Sequence, residues 1–425
     1  MNYVIIGNGP AATSAITAIR EPDLNSPITL ISDEPYTNYA RPLISYLLAK
    51  KIEAKRMPYL PDTFYKTNKV KLILYNPASR LDIKNNQVIL SDKKKLPFDK
   101  LLIATGTNPI IPRIKGAQQP GVFTFTKLQD AEKIAHYIET NKVKEAVVIG
   151  GGLIGLKATE GLMGLSVKVT IVELADRILS ATFDKKASQI IKNALEKQGC
   201  SVITKNTVTE IQGNQNQVKS VILNNGKRIA TDLVIMAVGV TPNIELVRNT
   251  PIKCNKGIIV DTMMQTSVDN IYAAGDCCEA SDLLLDINRP MAIWINATKQ
   301  GKIAGYNMAG IAQEYQGSLM MNSVELCGIP TISVGITIPE DSSYKVIEHY
   351  QPEKAVYKKV LIKDHRIIGT IFLGDIDRAG IYTGLIKDKA DVTDFESHLA
   401  QEDFGLVSLP KAYRKHLVTG AGLEI

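Results

Sequence analysis

The stretch Glu145-Ala146-Val147-Val148-Ile149-Gly150-Gly151-Gly152-Leu153-Ile154-Gly155 runs from an apolar, β-branched segment into a glycine-rich turn. A helical pattern continues to about Met163, and Lys168-Val169-Thr170-Ile171-Val172 is a second strand-like run. Strand, glycine turn, helix and strand make a βαβ unit. Its nearly continuous apolar strands predict a parallel sheet buried on both faces. The same order occurs at the N-terminus: Tyr3-Val4-Ile5-Ile6, then Gly7-Asn8-Gly9-Pro10-Ala11-Ala12, a helix to about Arg20, and Ile28-Thr29-Leu30-Ile31. The two copies lie about 140 residues apart, so a fold unit is repeated rather than a short solenoid period.

The turns carry the chemistry. A turn without Cβ atoms lets the backbone approach a pyrophosphate, and the helix that follows offers free N–H groups and the positive end of its dipole. The turns read Gly7-x-Gly9-x-x-Ala12 and Gly150-x-Gly152-x-x-Gly155. One such pattern is weak; two at strand-to-helix junctions in one chain are strong. An acid at the end of the second strand is then expected to hold a ribose diol. Asp33 lies 26 residues after Gly7, with Glu34 as a competitor, and Glu173 lies 23 residues after Gly150. A carboxylate at Glu173 repels a 2′-phosphate, so the second site is expected to prefer NADH to NADPH, with Arg177 near enough to weaken that preference.

Outward from these units lie shorter strands, Lys71 to Tyr75 and Gln87 to Leu90. From about residue 322 the character changes. Val356 to Lys363, a turn at His365-Arg366 and Ile367 to Leu373 predict a hairpin, and Asp391 to Glu402 predicts a helix. The fold class is α/β: two Rossmann-like domains plus a small C-terminal α+β domain.

Composition narrows the function. The 425 residues are 45% hydrophobic and 22% charged, too apolar for a disordered chain. No apolar run reaches the roughly 18 residues of a membrane span. The N-terminus lacks the features of a signal peptide, so a cytoplasmic protein is expected. Five scattered cysteines and five histidines form no disulfide framework and no metal-ligand spacing. Fifty Lys and Arg against 43 Asp and Glu leave +7, concentrated at Lys50-Lys51, Lys55-Arg56 and Lys93-Lys94-Lys95. Each cluster reads first as a solvated loop and, more sharply, as a docking patch for an acidic protein partner; no aromatic-interleaved basic motif points to nucleic acid.

Three further motifs accompany the turns. They are Leu101-Leu102-Ile103-Ala104-Thr105-Gly106-Thr107-Asn108-Pro109, Val238-Gly239-Val240-Thr241-Pro242-Asn243 and Ile271-Tyr272-Ala273-Ala274-Gly275-Asp276. With the two turns, the chain resembles the FAD- and NAD-binding flavoprotein reductases of the pyridine nucleotide–disulfide oxidoreductase superfamily over roughly residues 1–320. The resemblance implies an FAD domain of residues 1–111 and 244–320, an NAD domain of 112–243, and a C-terminal interface domain of 321–425. For FAD it implies Gly7, Gly9, Pro10, Ala11, Asp33, Glu34, Arg41, Pro42, Ala78, Thr105, Gly106, Gly275, Asp276, Trp294, Asn296 and Ala297. For NAD(H) it implies Gly150, Gly152, Leu153, Ile154, Gly155, Glu173 and Gly239. A helix opening at Trp294 beneath the flavin would favour negative charge on it.

Disulfide reductases of this superfamily carry a redox cysteine after the first acid. Here that segment is Asn38-Tyr39-Ala40-Arg41-Pro42-Leu43-Ile44-Ser45-Tyr46-Leu47, and no Cys precedes Cys200. The Tyr-x-Arg-Pro-x-x-Ser pattern resembles the cysteine-free branch: rubredoxin reductases, ferredoxin reductases and the flavin portion of NAD(P)H nitrite reductase large subunits. Iron–sulfur and sirohaem modules are not expected within these 425 residues. Relatives often pair a Lys and a Glu where this chain has Tyr46 and Lys157. Lys157 is therefore expected to supply a cation at the flavin from the opposite side, with Arg41 and Tyr46 beside it.

The expected activity is NADH-dependent reduction of a small redox protein, a rubredoxin, a ferredoxin or another iron–sulfur subunit, or the reverse flow. A homodimer or a larger redox complex is compatible. The competing readings are an NADH oxidase or CoA-disulfide reductase, with Cys277-Cys278 as an alternative redox pair, and a non-catalytic assembly subunit.

Overall fold

The computed structural model describes residues 1–414 except 215–216, 340, 342, 400, 402–403 and 411–413. They form two compact units. One comprises residues 1–172 and 207–319, the other 173–206 and the chain from Met320 onward.

In the first unit the N-terminal repeat builds a five-stranded parallel sheet. Its order is Ile271–Ala273, Lys100–Ile103, Tyr3–Ile6, Ile28–Ile31 and Val70–Ile73. Tyr3 pairs with both Ile28 and Lys100, which brings the ends of three motif strands to one level. Tyr3, Val4, Ile5 and Ile6 are all buried, as expected for a strand covered on both faces. The helices Pro10–Arg20 and Trp294–Met308 pack at backbone distance: a Cβ on Gly301 would lie 2.0 Å from the Ala11 carbonyl oxygen.

The second repeat gives parallel strands in the order Lys168–Val172, Glu145–Ile149, Leu233–Met236 and Val122–Thr124. Helix Leu153–Met163 follows the second glycine turn. Two antiparallel three-stranded sheets are inserted, Ala78–Asp82 with Gln87–Leu90 and Lys95–Pro97, and Val208–Gly213 with Val218–Leu223 and Arg228–Ala230.

The second unit contains a five-stranded antiparallel sheet, ordered Met321–Leu326, Ile329–Gly335, Arg366–Leu373, Val356–Lys363 and Lys345–Gln351. Helix Ala379–Lys387 packs on the strand Arg366–Leu373. The segment 173–206 belongs to this unit and carries helix Lys185–Lys197.

Two local expectations are corrected. The hairpin turn is Asp364-His365, both at positive φ (48° and 60°), and Arg366 is already paired with Lys363. A two-residue primed turn needs positive φ at both central positions, so the turn lies one residue earlier than expected. The helix expected from Asp391 to Glu402 is a short 3-10 turn, Thr393–His398; Glu402 lies outside the described residues. Asp391 bridges to Arg366 and its side chain accepts from the Thr393 N–H, which ties this end of the segment to the hairpin. Among the described residues no helix is long and apolar enough to cross a membrane, and no group of three His, Cys, Asp or Glu could hold a metal.

Candidate active site

The two glycine turns have nearly the same geometry. Gly7 and Gly150 have φ of +109° and +107°, and a Cβ there would lie 2.0 Å from Ala104 O and 2.4 Å from Ala237 O. No L side chain fits either position. Gly9 and Gly152 do the opposite job. Each is the N-cap of its helix in extended backbone, and a Cβ on either would meet nothing within 4 Å. Open space thus lies above two helix N-termini whose first turns, Pro10-Ala11-Ala12 and Leu153-Ile154-Gly155, carry no charge. Such a cradle fits a pyrophosphate.

Around the first cradle the segment 34–60 forms a connected polar network. Arg41 donates to Glu34 Oε1 (3.1 Å) and to the Thr126 carbonyl (3.1 Å), and lies 5.7 Å from the Tyr39 ring centroid. Tyr39 donates to Glu34 Oε2 at 2.7 Å. Of the two competing acids, Glu34 is therefore drawn into the network with 13% of its side chain exposed. Asp33 is 55% exposed and pairs with Lys127. Burial works against the Arg41 charge, but Tyr39, Glu34, Asp276 and Asp33 more than offset it and raise its pKa. Asp276 shifts the other way for a carboxylate: burial raises its pKa, and Arg41 only partly offsets that.

Deeper in, Asn38 accepts from the Tyr59 and Leu60 N–H groups, and its own N–H donates to Tyr65 OH. Tyr65 in turn donates to Asn8 Oδ1 within the first turn, at 2.7 Å. Trp294 meets Tyr59 edge-on at 5.0 Å. Gly275, at φ +84°, donates its N–H to Gln300 Oε1, which sets the backbone next to Asp276. Thr105 Oγ1 donates to Asn243 O, and Asn243 N–H returns to Gly106 O, so the motifs at 105 and 239–243 are stitched together. Asn296 has its amide on the Leu319 backbone, Ala297 packs beside Gly275, and Ala78 opens an edge strand against the core.

Ser45, four residues after Arg41, is buried, and its hydroxyl oxygen has no hydrogen-bond partner. A buried hydroxyl without a partner is costly. Together with the open cradle, it fits a polar group bound on this side, and flavin is the group that the motifs call for.

The structure brings Tyr46 and Lys157 together, with the Lys157 ammonium 4.7 Å from the Tyr46 ring centroid. It also gives Lys157 a partner that the sequence reading did not name. Glu160, one helical turn on, forms an ion pair with it. The i,i+3 spacing of Lys157 and Glu160 was the signal for this pair. Tyr65 and Gln300 were also missed; each acts through contacts distant in sequence.

Cys277 and Cys278 are both buried, and burial pushes both thiols up in pKa. Cys277 points at the Ile103 and Ala274 carbonyls, and Cys278 at Gly275 O and Gln300. Protonated core thiols do not serve as a redox relay, which needs a thiolate. The alternative redox pair is thereby removed.

At the end of the second repeat, Glu173 accepts the Ala175 N–H at 2.7 Å. Arg177 is folded into its own loop, on Phe183 O (3.1 Å), Ser180 O (3.3 Å) and Asp176 (2.7 Å).

A fold with two dinucleotide cradles defines a pyridine-nucleotide flavoenzyme, and comparison with known proteins agrees. Residues 1–301 match the pyridine nucleotide-disulphide oxidoreductase family, and residues 321–390 match the rubredoxin NAD+ reductase C-terminal domain. The chain belongs to the pyridine nucleotide-disulphide oxidoreductase family, whose members bind FAD and NAD(P)H. It is 31% identical over 393 residues to the nitrite reductase [NAD(P)H] of Bacillus subtilis, covering 92% of this chain but 48% of that enzyme. It thus spans about half the length of that relative. It is 31% identical to the NADH-dependent phenylglyoxylate dehydrogenase subunit epsilon of Aromatoleum evansii, over 93% of both chains. Among solved structures, NADH:rubredoxin oxidoreductase from Clostridium acetobutylicum superposes with a TM-score of 0.77 at 26% identity, covering 94% of this chain and 98% of that one.

Proposed function

We propose that the protein is an NADH-dependent flavoprotein reductase that passes electrons to a small redox protein, a rubredoxin, a ferredoxin or an iron–sulfur subunit, or takes them back from one. The observation that carries this reading is the flavin-side segment. Where a disulfide reductase needs a reactive thiol, this chain has Arg41, Ser45 and Tyr46, and its adjacent cysteines are buried and protonated. FAD, when bound, would supply hydride acceptance from NADH and single-electron release. The chain supplies position and field. Gly7, Gly9, Pro10 and Ala11 hold the FAD pyrophosphate, Glu34 rather than Asp33 holds its ribose, and Arg41, Pro42, Thr105, Gly106, Gly275 and Asp276 line it. Gly150, Gly152, Leu153, Ile154, Gly155 and Gly239 receive the nicotinamide nucleotide. Lys157, paired with Glu160 over Tyr46, sets the charge at the transfer point.

NADH is preferred because Glu173 repels a 2′-phosphate while the Arg177 guanidinium is occupied within its own loop. A division into 1–111 with 244–320 for FAD, 112–243 for NAD and 321–425 for partner or subunit contacts belongs to the same proposal. So do a cytoplasmic location, where NADH is supplied, and a homodimer or larger redox complex.

The deciding experiment is anaerobic stopped-flow. NADH should bleach the yellow protein, and oxidised rubredoxin or ferredoxin should then restore its colour within the turnover time. Restoration should slow steeply with salt if the lysine clusters steer an acidic carrier. Equally fast restoration by CoA disulfide or by oxygen would replace this reading with the disulfide reductase or oxidase. A protein that NADH does not bleach would be a non-catalytic subunit.

A further inference from the structure

The strand Val356–Lys363 carries adjacent buried lysines on opposite faces of its sheet, as side chains must alternate along a strand. Lys358 pairs with Asp375 at 2.6 Å, within the C-terminal chain. Lys359 instead reaches back in sequence to Asp184, at 2.9 Å, and also donates to the Thr337 carbonyl. Tyr357, on the same face as Lys359 and fully buried, donates to the same Asp184 oxygen at 2.7 Å and also contacts Glu348. Lys186 pairs with Glu348 on the other side. Burial would raise the Asp184 pKa, but Lys359, the Ala187 N–H and Tyr357 hold it below the ordinary carboxylate range.

Asp184 stands at the end of the loop that begins with Glu173. Its other oxygen accepts the Ala187 N–H and caps helix Lys185–Lys197. From Asp184 a run of hydrogen bonds leads back along the loop. The neighbouring Phe183 carbonyl accepts from Arg177, whose second and third bonds go to Ser180 and Asp176. Ser188 donates to the Ile178 carbonyl. Lys205 N–H closes on Ala175 O and Asn206 N–H on Glu173 O, and Ala175 N–H donates to the Glu173 carboxylate. Phe183, Ile178 and Leu179 are buried beneath this run. The loop has few loose joints between its anchor and the acid at its start.

We propose that the C-terminal sheet positions the nucleotide-reading acid: Lys359 and Tyr357 fix Asp184, and through the loop 173–184 they set how Glu173 meets the adenosine ribose of NADH. This rests on the assignment of Glu173 to the nucleotide made above. It gives the C-terminal domain a task in nucleotide affinity, apart from any partner contact. Asp184, Tyr357 and Lys359 are positioning residues and touch no substrate.

The test uses the flavin-loaded enzyme and two donors, NADH and reduced nicotinamide mononucleotide, which lacks the adenosine half. Asp184→Asn retains a helix-capping side chain but loses the charge. It should raise KM for NADH about tenfold, the scale of coupling carried through packed networks, with kcat little changed. KM for the mononucleotide should not move. Tyr357→Phe keeps the fold's shape and should give a smaller shift of the same selectivity, about threefold, which decides the matter if Asp184→Asn does not fold. Lys359→Arg should keep KM for NADH closer to wild type than Lys359→Met does. Equal changes in both donors, or no change in either, would overturn the proposal. Glu173→Gln separates the two claims: if it leaves NADH affinity unchanged, the nucleotide assignment of Glu173 fails. If it weakens NADH and the Asp184 and Tyr357 variants do not, only the coupling fails.

Discussion

The two βαβ repeats match in their turns and diverge at their acids. Gly7 and Gly150 share one backbone conformation, and Gly9 and Gly152 leave the same open space above a helix. Glu34, after the first repeat, is held by Tyr39 and Arg41, five and seven residues further along the chain. Glu173, after the second, opens a loop that is secured at Asp184 by residues more than 170 positions away. A pyrophosphate asks the same of any cradle, so the turns repeat. What distinguishes one dinucleotide from another lies in the surroundings of the acid, which do not.

The largest effect should come from the shared part. Gly7→Ala and Gly150→Ala each force a Cβ into a carbonyl oxygen, and the backbone strain alone costs of order 1–3 kcal/mol. Gly7→Ala should yield protein without bound flavin, measured by visible absorbance. Gly150→Ala should remain yellow yet fail to be bleached by NADH. If both variants lose flavin, the cradles are not independent.

Next comes the anchor of the second acid. Lys359→Met leaves Asp184, 19% exposed, without its cation, and breaking such a buried pair costs about 3–5 kcal/mol. Lys358→Met releases Asp375, which is 37% exposed, and should cost about 1 kcal/mol or less beyond lost packing. Chemical denaturation of the two variants checks the ordering; equal losses would make Asp184 no more than a surface contact.

A smaller effect is expected at the acids themselves. Glu173→Gln should reduce discrimination of NADH over NADPH by about tenfold, roughly 1.4 kcal/mol, without altering flavin content. Glu34→Gln should weaken FAD retention and leave nucleotide choice unchanged. Reversal of these two outcomes would exchange the roles of the repeats.

The finest contrast is in pH. Asp184 has a folded pKa below its ordinary value near 3.8, so its contribution is fully present above that value and is lost as pH falls through the lower folded pKa. Asp276 has a raised pKa, so its ionised form costs stability at neutral pH, and that cost is relieved as pH falls through the raised value. In flavin-free protein at pH 7, Asp276→Asn should therefore stabilise and Asp184→Asn destabilise. Denaturation curves from pH 7 downward give the check: the gain from Asp276→Asn should shrink first, above pH 3.8, and the loss from Asp184→Asn should shrink only below it.

Much of the fold was legible in the sequence because βαβ units are local. Strand, turn and helix at 3–20 and at 145–163 have the bounds that apolar runs and glycines predict. The hairpin turn slipped by one residue because only the signs of φ at Asp364 and His365 distinguish the two registers. At the site, spacing alone left Asp33 and Glu34 level. The network with Tyr39 and Arg41 separates them, since it depends on which way each carboxylate points. Lys157 was recognised as unusual; its pairing with Glu160 lies within one helix, but its seat on Tyr46 needed two helices in contact.

The sequence by itself determined the two cradles, the order of the elements and the absence of a cysteine before residue 200. These follow from local backbone geometry and from residue identity. Tertiary structure alone decided that Cys277 and Cys278 are buried with their thiols pushed up in pKa, that Ser45 is an unpartnered buried hydroxyl and that Asp184 is anchored by Tyr357 and Lys359. Burial and long-range hydrogen bonding set the charge state and orientation of a side chain, and both depend on groups that the chain brings together only when it folds.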